Sequence, residues 1–404
     1  MTTTTIDRGG VEIICESRGA GPQILLLHAG GERRQVWRPV MNELDERGFR
    51  SVACDQRGHG ASGGQSSDGI GAYAADTVAM IERIGGCPLV VGASLGGMAS
   101  MLALADASTQ ADVSGLILVD VVPTPDPMRV RAFLARGGHG LDRSPLVDDI
   151  LGRAAQMGEA AARLRMPLLL VRAGGVGAID DKEVARLKSW APQLQTIVIE
   201  ETGHLIARDA PGELAKAIAD FAQSDDVRDR RIDRFIARNG GAGLQHPGGT
   251  LGAHLGRVGD MLREWNEAPE IVDAGRLHAA YGTEGFASSV VADRGRKTVI
   301  GIIGQKAERL VHLYCLCDRG ASYPGWTTSN PQMVDRHTGQ VSALDDATRR
   351  ALVVMTIANE MDVLSHDVGL AKAHGHDLMA LFDSWRPHIG EQARMALDRW
   401  RPRV

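Results

Sequence analysis

Ser94 lies in Gly92-Ala93-Ser94-Leu95-Gly96-Gly97, directly after the apolar run Leu89–Val91 and at the opening of a helical stretch. A serine at such a strand-to-helix corner lifts its hydroxyl above the sheet, at the positive end of the helix that follows. The corner is so tight that its neighbours must be small, and Gly92 and Gly96 meet that need. A serine hydroxyl is a weak nucleophile until a base takes its proton. His204, in Glu200-Glu201-Thr202-Gly203-His204, follows the last strand-like run of the first half and precedes its final helix. An imidazole placed there can swing over the corner and accept that proton. The chemistry expected of the pair is attack on an ester, thioester or lactone carbonyl, followed by hydrolysis of the acyl-enzyme.

Short apolar strands alternate with amphipathic helices from about residue 11 to 223. The strand candidates are Val11–Glu16, Ile24–His28, Arg50–Cys54, Leu89–Gly92, Gly115–Val121, Pro167–Val171 and Thr196–Glu200. Several are continuous apolar runs, as parallel strands covered on both faces require. The alternation predicts a doubly wound, mostly parallel sheet. Residues 123–165 form an excursion expected to cap the site as a short lid. Gln223–Arg231 is dense in charge and is expected to be a linker, dividing a domain of residues 1–224 from one of 225–404. Strand signals nearly vanish beyond it. Helices are expected at Ile232–Arg238, Thr250–Asn266, Pro269–Ala280, Arg294–Ile303, Lys306–Cys317, Ala343–Leu364 and His366–Trp385, giving an all-α domain.

His28-Ala29-Gly30-Gly31, Asp55-Gln56-Arg57-Gly58-His59-Gly60-Ala61-Ser62, the Ser94 corner and Gly203-His204 occur in this order over residues 10–223. In order and spacing they resemble the α/β-hydrolase superfamily, closest to its small esterase-like or lactonase-like members. The resemblance implies an oxyanion loop at His28–Gly31, so that the N–H groups of Gly30 and Leu95 would converge on a tetrahedral intermediate. His28 and His59 read as structural. Many relatives carry an acid after the seventh strand, but Gly177 falls at that place here. Asp120, ending the sixth strand, is one substitute; Asp180 or Asp181 is another; a site without an acid is the third reading. Without one, catalysis falls by orders of magnitude.

In the second half, His246-Pro247-Gly248-Gly249-Thr250-Leu251 precedes a helix bearing His254, and Ala274–Thr283 contains His278 and Tyr281-Gly282-Thr283. These blocks resemble an uncharacterised bacterial helical family and, distantly, the HD metal-dependent phosphohydrolases. That resemblance implies a divalent metal held by His254, His278 and Asp362, although Ala279 replaces the paired Asp and puts two-metal chemistry in doubt. Packing histidines in a scaffold or oligomerisation module are the alternative. Glu308, Tyr281 and Thr283 are further candidate pocket polars.

Composition narrows the classes. The 404 residues are 44% hydrophobic and 24% charged, with a net charge of −5 and no basic runs. Neither nucleic acid nor an anionic membrane is therefore expected as the main partner. No leader is expected from the first residues, MTTTTIDRGG. Five cysteines, an odd number set mostly in apolar runs, suggest reduced thiols and a cytoplasmic protein. The expected partner is a small-molecule substrate, with a homo-oligomer as an option and no cofactor needed by the first domain. Serine hydrolysis stands first among the functions. Lyase, cyclase or acyl-transfer chemistry on a weakened triad is the second, and a regulatory or metal-binding helical module beside a degenerate hydrolase half is the third.

Overall fold

The computed structural model describes residues 1–400 except 137–143, 176–178, 287–288, 290 and 292–294. Two compact units emerge, Met1–Arg231 and Ile232–Val404.

The first unit is built on an eight-stranded sheet of order β1-β2-β4-β3-β5-β6-β7-β8. Its strands are β1 (Thr2–Asp7), β2 (Glu12–Arg18), β3 (Gln23–Leu27), β4 (Arg50–Cys54), β5 (Leu89–Ala93), β6 (Gly115–Val119), β7 (Leu168–Ala173) and β8 (Leu194–Ile199). The pairs β1·β2 and β2·β4 are antiparallel, and the strands from β4 onward pair in parallel. Successive residues of β3 face opposite cores: Leu25 and Leu27 pack into one, Ile24 and Leu26 into the other. Period-two alternation with both faces covered is why this strand reads as an unbroken apolar run. Each such Leu or Ile contributes roughly 1.5–3 kcal/mol by leaving water. β1 was not expected, because its Thr2–Thr5 run is exposed and carries no apolar pattern; β-branched residues suit a strand without announcing it.

The excursion after β6 forms three helices, Pro127–Arg136, Pro145–Gly152 and Ala154–Arg163. A proline opens each of the first two, where its missing N–H costs nothing. Met157 and Ala161 of the third are fully buried in the sheet's core, so only the first two can act as a lid.

One expectation is corrected here. Cys15 and Cys54 are not free thiols but form a disulfide. They are register partners across the antiparallel β2·β4 pair, which brings their side chains together on one face. The charged stretch 223–231, expected as the linker, ends at the boundary of the two units and is helical from Asp225. Within the first unit Val227 is fully buried, and Arg230 donates to the carbonyls of Val113 at 2.8 Å and Gln110 at 2.7 Å.

The second unit packs around the helix Asp346–His366, in which Ala351 to Ala358 are all buried. A helix apolar on every side belongs in the middle of a core. Around it lie Leu251–Glu264, Pro269–Arg276 and Arg296–Leu316, the last broken at Gly304, whose φ of 79° no helix accommodates. Val368–Trp385 and Glu391–Arg399 follow. The unit is helical but includes two small antiparallel hairpins, β9 (Gln245–His246) with β10 (Gly249–Thr250) and β11 (Gln332–Val334) with β12 (Val341–Ala343). Pro247 and Gly248 form the turn of the first, Gly248 supplying a φ of 79°. The helix expected over Pro269–Ala280 stops at Arg276, leaving His278 just past its end. Among the described residues no helix is long and apolar enough to cross a membrane.

Candidate active site

β5 runs into Ser94 and the helix Leu95–Ala103 begins at once. Ser94 adopts φ 46° and ψ −109°, a conformation disfavoured for a side chain by roughly 1–3 kcal/mol and held by its surroundings. The glycines explain how the turn closes. A Cβ on Gly92 would stand 2.5 Å from the Gly97 nitrogen, and one on Gly96 would stand 2.5 Å from the Leu27 carbonyl oxygen. As the first residue of its helix, Leu95 has an N–H with no carbonyl four residues back to receive it.

β6 is the parallel neighbour of β5, with Ala93 opposite Val119, so Ser94 and Asp120 leave adjacent strands at the same level. The Ser94 N–H donates to the Val119 carbonyl at 3.2 Å. Asp120, 1% exposed and also at positive φ, turns its carboxylate toward the loop after β8. One oxygen accepts the Ala173 N–H at 3.1 Å; the other lies 2.8 Å from His204 Nδ1. Because a carboxylate only accepts, Nδ1 carries the hydrogen and Nε2 keeps its lone pair. The alternative acid is elsewhere: Asp180 caps the helix Asp181–Trp190 by accepting from the Glu183 N–H at 2.9 Å and faces Arg129 at 3.4 Å. Asp181 pairs with Arg172 at 2.8 Å. The departure noted at Gly177 lies outside the described residues.

Ser94, Asp120, His204, Gly30 and Leu95 all line one cavity of about 1100 Å³. Its far wall is apolar and comes from the two lid helices, through Val130, Phe133, Leu134, Leu146 and Ile150. The Phe133 ring stands edge-on to the His204 imidazole, centroids 4.8 Å apart. Glu32 and Arg208 also line the cavity, and burial pushes the Glu32 carboxyl above its usual range. Sequence reading missed Phe133 and Glu32. Phe133 lies in an amphipathic lid helix that nothing local ties to His204, whereas Glu32 directly follows the glycine loop and could have been flagged.

Two further histidines of the first unit, His28 and His59, brace that loop. His28 is fully buried; its Nδ1–H donates to the Ala29 carbonyl at 2.8 Å, and its Nε2 accepts the Gln56 N–H at 3.0 Å. Burial lowers its pKa to about 4. His59 Nε2 accepts the Gly31 N–H at 3.2 Å while its Nδ1–H donates to the Arg57 carbonyl at 2.9 Å. The amide next to Gly30 is thereby fixed.

In the second unit His254 and His278 do meet, Nε2 to Nε2 at 3.3 Å, but Asp362 is not positioned as a metal ligand beside them. One of its oxygens lies 2.7 Å from His254 Nδ1, the other 2.6 Å from Arg257 Nε. The residue facing His254 Nε2 is Asn359, whose Oδ1 is 3.1 Å away and which sequence reading passed over. Glu308 is wholly buried against Arg296 and Tyr281, and Thr283 bridges to Phe286, so neither opens onto the His254–His278 cluster.

Comparison with known proteins agrees with this division. A family model described as "alpha/beta hydrolase fold" matches residues 22–137, and one described as a domain of unknown function (DUF6817) matches residues 235–319. The 2-(acetamidomethylene)succinate hydrolase of Mesorhizobium japonicum is 25% identical over 269 residues, 54% of this chain and 93% of that protein. An esterase of Mycobacterium tuberculosis is 24% identical over 250 residues, 50% of this chain and 82% of that one. Among solved structures, an E-2-(acetamidomethylene)succinate hydrolase superposes with a TM-score of 0.47 at 22% identity, covering 55% of this chain and 99% of that chain. The first half of the chain has the α/β-hydrolase fold, and the protein is an enzyme.

Proposed function

We propose that the first unit is a serine hydrolase that cleaves an ester, thioester or lactone through an acyl-enzyme on Ser94. The 2.8 Å contact between Asp120 and His204 Nδ1 is the observation that carries this reading. It leaves Nε2 free to take the Ser94 proton as Oγ bonds to the substrate carbonyl carbon. The carbonyl electron pair moves onto oxygen, and the N–H groups of Gly30 and Leu95 receive that charge. The imidazolium, stabilised by Asp120, returns the proton to the departing alkoxide or thiolate. A water molecule, deprotonated by the same Nε2, then releases the acid and restores Ser94. The two relatives described above are named for hydrolysis, one as an esterase, which supports the reaction class. The apolar lid wall favours a substrate with a sizeable apolar portion.

The Asp120–His204 contact favours this reading over lyase, cyclase or acyl-transfer chemistry on a weakened triad. A fluorophosphonate probe is expected to label Ser94 in the full-length protein, located by peptide mass spectrometry, with no labelling of Ser94→Ala. Folded wild-type protein that resists the probe would end the proposal.

A further inference from the structure

The buried polar cluster of the second unit can be read by asking where each hydrogen goes. The Asp362 carboxylate accepts two bonds from Arg257, at 2.6 and 2.9 Å, and so offers no hydrogen of its own. His254 Nδ1, 2.7 Å from it, must therefore be the donor. His278 Nδ1 lies 2.7 Å from the Gly275 carbonyl, which also only accepts, so its hydrogen is committed there. Asn359 Nδ2 donates to Glu360 Oε1 at 2.9 Å, and Glu360 is itself held by Arg319 at 2.8 Å, which turns the amide oxygen inward. What remains at the centre is three lone-pair atoms: His254 Nε2, His278 Nε2 and Asn359 Oδ1. The other two stand 3.3 and 3.1 Å from His254 Nε2, and with both imidazoles neutral no hydrogen lies between them. His254, His278 and Asn359 are 0, 3 and 7% exposed, so bulk water does not relieve the arrangement. Buried acceptors left facing one another are costly unless a cation joins them.

We propose that this centre binds one divalent first-row metal ion through His254 Nε2, His278 Nε2 and Asn359 Oδ1, with Asp362 and the Gly275 carbonyl behind the imidazoles. Metal–ligand arms of about 2.1 Å span 3.3 Å at an angle of about 104° and 3.1 Å at about 95°, between tetrahedral and octahedral values. A proton on His254 Nε2 would satisfy one neighbour; a metal ion satisfies all three atoms. Imidazole nitrogen and amide oxygen suit Zn, Mn, Fe, Co or Ni. Each imidazole gives its other N–H to a carboxylate or carbonyl, the outer-layer pattern that fixes metal-binding histidines. Among the described residues no group of three His, Cys, Asp or Glu side chains could hold a metal ion; the third donor here is an amide. All three ligands are neutral, so the ion keeps its double charge and its remaining positions would take water or an anionic ligand.

The test uses the full-length protein, stripped with a chelator and titrated with Co(II), then Zn(II), following visible absorption and metal content by mass spectrometry. One equivalent per chain is expected, with a Co(II) ligand-field band. His254→Gln and His278→Gln should abolish the band, and Asp362→Asn should weaken binding by about 10–100-fold. Ser94→Ala should leave the stoichiometry unchanged. Should the histidine variants not fold, as judged by circular dichroism, Asn359→Asp decides: a carboxylate oxygen at that place should tighten Co(II) binding. Two results would overturn the proposal. One is folded wild type that takes up less than a tenth of an equivalent, with nitrogen NMR showing His254 protonated on both ring nitrogens. The other is binding that survives both histidine substitutions in folded protein, or that Asn359→Asp leaves unchanged or weaker.

Discussion

Asp120 and Asp180 each end a strand or open a helix of the same unit, yet they do different work. The Asp120 carboxylate is almost inaccessible and bonds the imidazole of His204, which lines the same cavity as Ser94, whereas the Asp180 carboxylate spends its oxygen on the first turn of a helix. Replacing Asp120 by Asn keeps the shape but offers an N–H where His204 needs an acceptor, favouring the wrong tautomer. Asp120→Asn is expected to lower kcat on a model ester by about 10³–10⁴-fold with KM little changed. Asp180→Ala should leave kcat within about twofold while lowering stability by about 1 kcal/mol, the worth of a helix cap. Steady-state kinetics and urea unfolding of the two variants, side by side, separate the roles. A reversed pattern would assign the acid to Asp180.

The strand β3 and the turn after β4 are tied through His28, which directly follows β3 and accepts the Gln56 N–H beyond β4. This bond needs a neutral imidazole, and burial holds the pKa of His28 down to about 4 in the folded protein. In the unfolded chain the ring titrates near 6.5. Between those values the unfolded chain binds the extra proton, so the stabilisation is whole above about pH 6.5 and drains away as the pH falls toward 4. The shift corresponds to a loss on the order of 3 kcal/mol across that window. Urea midpoints measured from pH 7 to pH 4 should fall, and His28→Gln should flatten the slope over that interval. A wild-type midpoint independent of pH there would show that the ring is not held neutral. Other elements were plain from residue pattern, the continuous apolar runs of β3, β5, β6 and β7 above all. β1 was not, since its exposed threonines bury nothing that a periodicity could reveal.

On the scale of the whole chain, each unit has its own apolar core, Val227 belonging to the first and Ile232, Phe235 and Ile236 to the second. A chain ending after Arg238 is expected to keep probe labelling of Ser94. Ending it after Ser224 removes the burial of Val227 and the two carbonyl bonds of Arg230, and should cost the first unit about 3 kcal/mol. Thermal unfolding of the two shortened proteins reads that difference directly. Equal midpoints would mean that the charged stretch is a tether after all.

From its residues alone the chain declared the serine corner, the parallel sheet beneath it and the helical character of its second half. Each of these follows from local rules: small residues around a tight turn, apolar runs for strands covered on both faces, amphipathic spacing for helices. Folding in three dimensions decided which groups became partners. Asp120 meets His204 across 84 positions because β6, β7 and β8 lie side by side, and Cys15 meets Cys54 because β2 and β4 run in register. Asp362 turns to His254 Nδ1 and leaves the inner place to Asn359 because those two residues lie three apart on one helix, each presented to a different side of the ring. Such choices depend on strand order, rotamers and the supply of hydrogens, and no local pattern in the sequence encodes them.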